Sequence, residues 1–270
     1  YKRQGVTATP LAIIMDIKKW KIFPNRLFKL ETTPDYLGLN SPRLITENVE
    51  SSERMKGKTP LENELKIIDK ILDNCDITKR RFCVALILST IQNDNQTALL
   101  ENIMKRNTDK GWCGLVYNQN SVSLNPPIRV GDFEISEITD TILKGVNIKT
   151  GKDIGKDTYI DNPGNAIQNA LKFLKDNGKT QIVIVSGKKA DRGISFVDGD
   201  YENDLQYHLT DLYIRSEIKT SKKTGLTNLD KNLHCESLIQ KLRILGVYND
   251  VDNSVLKKPC FLYTEKEDVP

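Results

Sequence analysis

Apolar and polar positions alternate in blocks along this chain, with strand-length runs followed by segments of helical spacing. That order predicts an α/β layer architecture built on a mainly parallel sheet. The plainest strand lies within Arg80 to Thr90, "RRFCVALILST". Its continuous apolar middle predicts burial on both faces, as at the centre of a parallel sheet. Further strands are predicted at 112–118 ("WCGLVYN"), 181–186 ("QIVIVS"), 208–216 ("HLTDLYIRS") and 258–264 ("KPCFLYT").

The helices announce themselves by their ends. Thr59 and Glu62 form a capping box, and Pro60 suits the first helical position. Leu61, Leu65, Ile68, Leu72 and Cys75 then share one face. A polar helix is predicted from Thr97 to Arg106. Another starts at Asn165, with Ile167, Ala170, Leu171 and Leu174 inward and Gly178 as its closing glycine. A last helix is predicted over 233–246, "LHCESLIQKLRILG", ending at Gly246. The opening "YKRQGVTATP" reads as a short strand, and Leu11 to Met55 as irregular chain. Residues 51–60 read as a polar linker. Residues 119–163, rich in Gly, Asn, Pro and Asp, read as an insertion or a set of loops.

Composition narrows the function classes only slightly. The chain has 270 residues, 38% hydrophobic and 28% charged, as in a globular protein. No apolar run approaches the roughly 18 to 20 residues of a membrane span, and "YKRQGVTATP" has no apolar signal-peptide core. A membrane partner is therefore not expected, and an intracellular location is. The chain opens on Tyr1 instead of Met, so it reads as a piece of something longer. A net charge of +4 permits a nucleic-acid partner without demanding one. Five cysteines without a C-x-x-C pair point to a reducing compartment. With only two histidines besides, no metal site is expected.

Three stretches carry candidate chemistry. "TATP" (Thr7 to Pro10) is by itself an ordinary turn. "QIVIVSGKKADRGISFVD" (181–198) runs a buried strand into Lys188, Lys189, Asp191 and Arg192. "LIQKLRILG" spaces Gln240, Arg243 and Gly246 three apart. Each has a bland reading as turn, solvated tip or wet helix face.

In this order the three resemble motifs III, V and VI of the superfamily 2 helicases and related ATPases. "TATP" is similar to motif III, "ADRGIS" (190–195) to motif V in its A-x-R-G form, and "QKLRILG" (240–246) to motif VI. "VALILST" stands where motif IV would begin the second RecA-like domain. The resemblance implies a RecA-like doubly wound, mainly parallel sheet with helices on both faces. Residues 1–50 would end a first RecA-like domain, 51–60 would link, and 61–270 would form the second. It implies nucleic-acid contacts at Thr7, Thr9, Ser89, Thr90, Ser186, Lys188 and Lys189. It places Asp191, Arg192, Gly193, Ser195 and Lys241 on the nucleotide side, with Arg243 and Gln240 catalytic and Arg243 as the arginine finger. ATP and Mg would be held mainly by an upstream RecA-like domain, and the nucleic-acid partner would be DNA ahead of RNA.

The departures from the family are specific. No G-x-x-x-x-G-K-[ST] loop is present, and "GKDIGKDT" (151–158) has its glycines one residue too close, with Asp157 where a hydroxyl would hold magnesium. No acidic motif II precedes "TATP". Val247 stands where most members carry a second motif VI arginine, leaving Lys241 as the other cation of the motif. Hydrolysis by this chain alone is not expected. One alternative is a degenerate helicase-like module that binds nucleic acid without turnover. Another is a small-molecule α/β enzyme using Cys235 with His208 or His234. Adjacent His234 and Cys235 would point about 100° apart on a helix, which opposes their pairing.

Overall fold

The computed structural model describes residues 36–39, 41–50, 59–78, 80–88, 93–118, 121–154, 159–160, 164–187, 195–198, 205–215, 241–247 and 259–265. In chain order the elements are β1 (Tyr36–Leu37), β2 (Leu44–Val49), α1 (Pro60–Asn74), β3 (Cys83–Leu88), α2 (Asn93–Arg106), β4 (Cys113–Asn118), β5 (Ser121–Val130), β6 (Phe133–Thr139) and β7 (Leu143–Asn147). They continue as α3 (Ala166–Asp176), β8 (Gln181–Ser186), β9 (Asp211–Ile214), β10 (Gly246–Val247) and β11 (Cys260–Glu265).

Nine strands form one sheet in the order β2-β11-β9-β3-β8-β4-β5-β6-β7. From β2 to β4 every neighbouring pair is parallel, and β4 to β7 is an antiparallel meander. The architecture is thus mixed α/β on a mostly parallel sheet, as the block pattern predicts. No described helix is long and apolar enough to cross a membrane.

The two faces of the sheet are covered by different helices, and alternation along each strand decides what meets what. Cys83, Ala85 and Ile87 of β3 and Val183 and Val185 of β8 join Leu65, Ile68, Leu72, Leu99 and Ile103 of α1 and α2 in one cluster. Val84, Leu86, Ile182 and Ile184 join Ile167, Ala170, Leu171 and Leu174 of α3 in the other. Connections toward β4 carry α1 and α2; the return to β8 carries α3 on the opposite face. That is the outcome right-handed crossovers impose when the chain reverses direction across a sheet.

Local chemistry fixes the helix ends. Thr59 Oγ1 accepts from the Glu62 N–H at 3.3 Å, and Glu62 accepts from the Thr59 N–H at 3.0 Å. Leu65, Ile68, Leu72 and Cys75 are buried as the spacing predicts, whereas Leu61 is exposed. Asn165 and Gln168 form a second capping box at the start of α3. At the far end Gly178 takes a φ of 67°, and Lys179 N–H reaches Leu174 O at 2.9 Å. Glycine adopts this left-handed conformation without the strain a side chain would add.

Four sequence expectations are corrected. Within 119–163, read as an insertion or a set of loops, the described residues are largely strand: β5, β6 and β7 extend the sheet, with Val122, Leu124, Ile128, Ile135 and Ile138 buried. Asn125-Pro126-Pro127 looks like a strand break, but the register shifts between Ser123 and Ile128 and absorbs the prolines. The stretch read as irregular contains β2, an edge strand in register with β11. The polar helix α2 begins at Asn93, four residues before Thr97. The motif VI helix does not reach Gly246; Lys241 is its last helical residue, 242–245 turn, and Gly246 pairs with Leu37. On a helix, Leu242 and Ile244 would point about 200° apart. The turn instead lets both bury in the α3-side cluster. The opening strand with "TATP", and the start of that last helix, lie outside the described residues.

Candidate functional site

The carboxyl ends of the central parallel strands form one row. Leu88 is in register with Ser186 on one side and Ile214 on the other, and Ser186 with Tyr117. From Leu88 the chain passes to α2, packed on the α1 side. From Ser186 it passes to a return segment whose Phe196, Tyr207 and Leu209 lie in the α3-side cluster. Two adjacent parallel strands thus send their chains to opposite faces. The crevice left outside such a pair of ends is where open α/β sheets bind ligands.

Both flanks of the charged segment stand at this crevice. Ser186 is fully buried, and its Oγ donates to Tyr117 O at 3.1 Å. Its hydroxyl therefore ties β8 to β4. On the return side Ser195 is exposed, and Phe196 meets the Tyr117 ring edge-on at 6.1 Å. Tyr117 touches both flanks, and burial raises the pKa of its phenol.

Past Phe196 the return segment is pinned. Val197 bridges His208, Asp198 N–H reaches Tyr207 O at 3.0 Å, and Tyr207 N–H reaches Asp198 Oδ2 at 3.0 Å. Lys175 Nζ of α3 lies 2.6 Å from Asp198 Oδ2 and donates to Leu205 O at 3.1 Å. Neither Lys175 nor Asp198 stands out in sequence, because each is an ordinary charged residue until the fold buries it. On the other side of β3, Arg215 N–H donates to Leu88 O at 3.4 Å, and its guanidinium pairs with the buried Glu64 of α1 at 2.9 Å. Tyr213 OH donates to Glu265 Oε1 at 3.0 Å; burial, then the Glu265 and Glu64 carboxylates, push its pKa far up.

The remaining sequence candidates divide plainly. Lys241 is buried and Arg243 half-buried, with Arg243 N–H on Lys241 O at 2.7 Å. Gln240, Arg243 and Gly246 do not share a helix face, since Arg243 lies in the turn and Gly246 in β10. Thr7, Thr9, Ser89, Thr90, Lys188, Lys189, Asp191, Arg192, Gly193 and Gln240 lie outside the described residues, as do His234 and Cys235. His208 is buried near the amino-terminal edge, edge-on to Phe82 at 5.3 Å, with Nδ1 2.9 Å from Leu209 O. A base so enclosed does not suit a solvent-facing nucleophile.

At that opposite edge sits one group of three potential metal ligands among the described residues, Cys75, Cys83 and Asp211. Arg80 Nη1 already lies 2.6 Å from Asp211 Oδ2, to which Thr210 Oγ1 also donates at 2.7 Å. The Arg80 guanidinium also stacks on Phe261 at 4.6 Å. A hydrogen bond to Cys83, then burial, holds the Cys75 thiol well above its ordinary pKa. Arg80 thus supplies the cation, and the group is a buried ion pair that ties β3 to β9. No family model matches the sequence, and no curated protein does.

Proposed function

We propose that this chain supplies the second RecA-like domain of a superfamily 2 helicase or translocase and grips nucleic-acid phosphates at the carboxyl edge between β3 and β8. One observation carries the reading. The stretch resembling motif V follows the strand whose end, with that of β3, flanks the crevice where the chain departs to opposite faces. The stretch resembling motif IV begins in β3 itself. The two therefore fall on neighbouring strands, as a shared ligand requires.

In this reading Ser89, Thr90, Lys188 and Lys189 bind phosphates, positioning the strand without reading its sequence. Asp191, Arg192, Gly193, Ser195 and Lys241 serve the nucleotide side. Arg243, in its turn between two buried apolar residues, stabilises charge developing on a γ-phosphate, with Gln240 beside it. Nothing in the chain matches the loop and carboxylates that hold ATP and Mg in this family, so an upstream RecA-like domain supplies them. The absence of that loop from the sequence also keeps open a non-catalytic nucleic-acid-binding module of the same fold. Both versions need the same phosphate edge.

The test is fluorescence anisotropy with a single-stranded oligonucleotide across a salt series. Binding should weaken steeply with salt, and Lys188→Ala/Lys189→Ala should flatten the slope by about 0.7 for each phosphate no longer neutralised. Binding indifferent to salt would reject the reading.

A further inference from the structure

Three side chains from three elements meet at the amino-terminal edge of the sheet. Cys83 opens β3, and Asp211 opens its neighbour β9. Asp211 is in register with Ala85, so Cys83, two residues earlier, presents its side chain to the same face. That is the face α1 covers, and Cys75, which caps the carboxyl end of α1, is buried in the same cluster. The two thiol sulfurs and a carboxylate oxygen all lie within 4.8 Å of one another. The carboxylate is held at one oxygen only. Oδ2 takes Arg80 Nη1 at 2.6 Å and Thr210 Oγ1 at 2.7 Å, whereas Oδ1 is buried without a hydrogen-bond partner. A buried oxygen left in that state is costly, and it points to a ligand.

We propose that Cys75, Cys83 and Asp211 form a binding site for a thiophilic divalent cation of the zinc class, which fastens the end of α1 to β3 and β9. Binding exchanges two protons for one ion: both S–H bonds break, two metal–thiolate bonds form, and the protons leave to solvent. The charge balance permits this in a buried place. With both thiols protonated, Arg80 balances Asp211. With two thiolates and a dication, the group again sums to zero, Arg80 included. Two sulfurs and one oxygen are donors that zinc accepts, and a water completes the tetrahedron. Arg80 and Thr210 then orient the ligating carboxylate from behind, as outer-shell partners do. The role is structural and does not depend on the phosphate reading. No C-x-x-C spacing announces it, because the fold brings the three residues together.

The experiment refolds the full chain from urea with one equivalent of Co(II) and a phosphine reductant, without oxygen. Wild type should bind one cobalt, with thiolate-to-cobalt charge transfer in the near ultraviolet and intense tetrahedral d–d bands that zinc abolishes. Two protons should be released per ion at neutral pH. Cys75→Ser and Cys83→Ser should each weaken binding by about 100-fold or more. Cys113→Ser, at a buried cysteine of the opposite cluster, should keep the wild-type spectrum. If a serine variant does not fold, wild-type alkylation in mild urea carries the test, zinc protecting Cys75 and Cys83 but not Cys113. No stoichiometric charge-transfer band in wild type, or one that survives in both serine variants, overturns the site. So does zinc protection that spares Cys75 and Cys83.

Discussion

Leu88 and Ser186 stand side by side at the carboxyl ends of two parallel strands, and the chain leaves them toward opposite faces of the sheet. In open α/β sheets the crevice outside such a pair of strand ends is where ligands bind.

The opposite edge is built for stability, and Arg80 tests it. Its guanidinium pairs with Asp211, whose carboxyl burial raises above the ordinary range against the pull of Arg80. Arg80→Met leaves that carboxylate without its cation and should cost about 3–5 kcal/mol. Urea unfolding measures the loss; a change within about 0.5 kcal/mol would mean the pair is solvated.

Alkaline pH should unfold the protein through its tyrosines. Burial, followed by Glu265 and Glu64, raises Tyr213, and burial followed by Asp211 raises Tyr263. Above the ordinary phenol value of 10.0 the unfolded chain releases these protons while the native chain keeps them. The native state then binds more protons, so stability falls as pH rises through that range. Tyrosinate absorbance should show these two phenols ionising together with loss of circular dichroism. Ionisation in the folded state would contradict their burial.

Much of this frame is legible in the sequence because its signals are local. The capping box of Thr59 and Glu62, the apolar run of β3 and the glycine after α3 each depend on a few neighbouring residues. The meander is not legible in the same way: the prolines at 126 and 127 and Gly131 mimic loop chemistry, and only pairing to β4 makes β5 a strand. β2 escapes because an edge strand buries just its ends, Leu44 and Val49. In the candidate site, the charged stretch after β8 is visible in sequence. Lys175 and Asp198 are not, since their pairing spans two elements.

Gly114 tests the junction of meander and helix. A Cβ there would stand 2.7 Å from Asn125 O, 2.8 Å from Leu100 Cδ1 and 2.9 Å from Met104 Sδ. The backbone oxygen cannot retreat without breaking β4–β5 pairing. Gly114→Ala should destabilise by about 1–3 kcal/mol, read from the denaturant midpoint, with α2 amides losing protection. An unchanged midpoint would mean the junction is loose.

Arg243 separates the catalytic version from the non-catalytic one. In a protein carrying both RecA-like domains, Arg243→Ala should leave ATP affinity nearly unchanged and slow single-turnover hydrolysis by about 10³-fold. A near-wild-type rate would remove Arg243 from the catalytic site.

The phosphate reading stands or falls on where the nucleic acid lies, and hydrogen exchange with and without a saturating single-stranded oligonucleotide reads that position. Protection should appear at the amides following β3 and β8, residues 89–92 and 187–195. None should appear at 75–83 or 205–211, on the amino-terminal side of the sheet. Protection confined to that opposite edge, or none anywhere at saturation, would refute binding at the β3–β8 crevice.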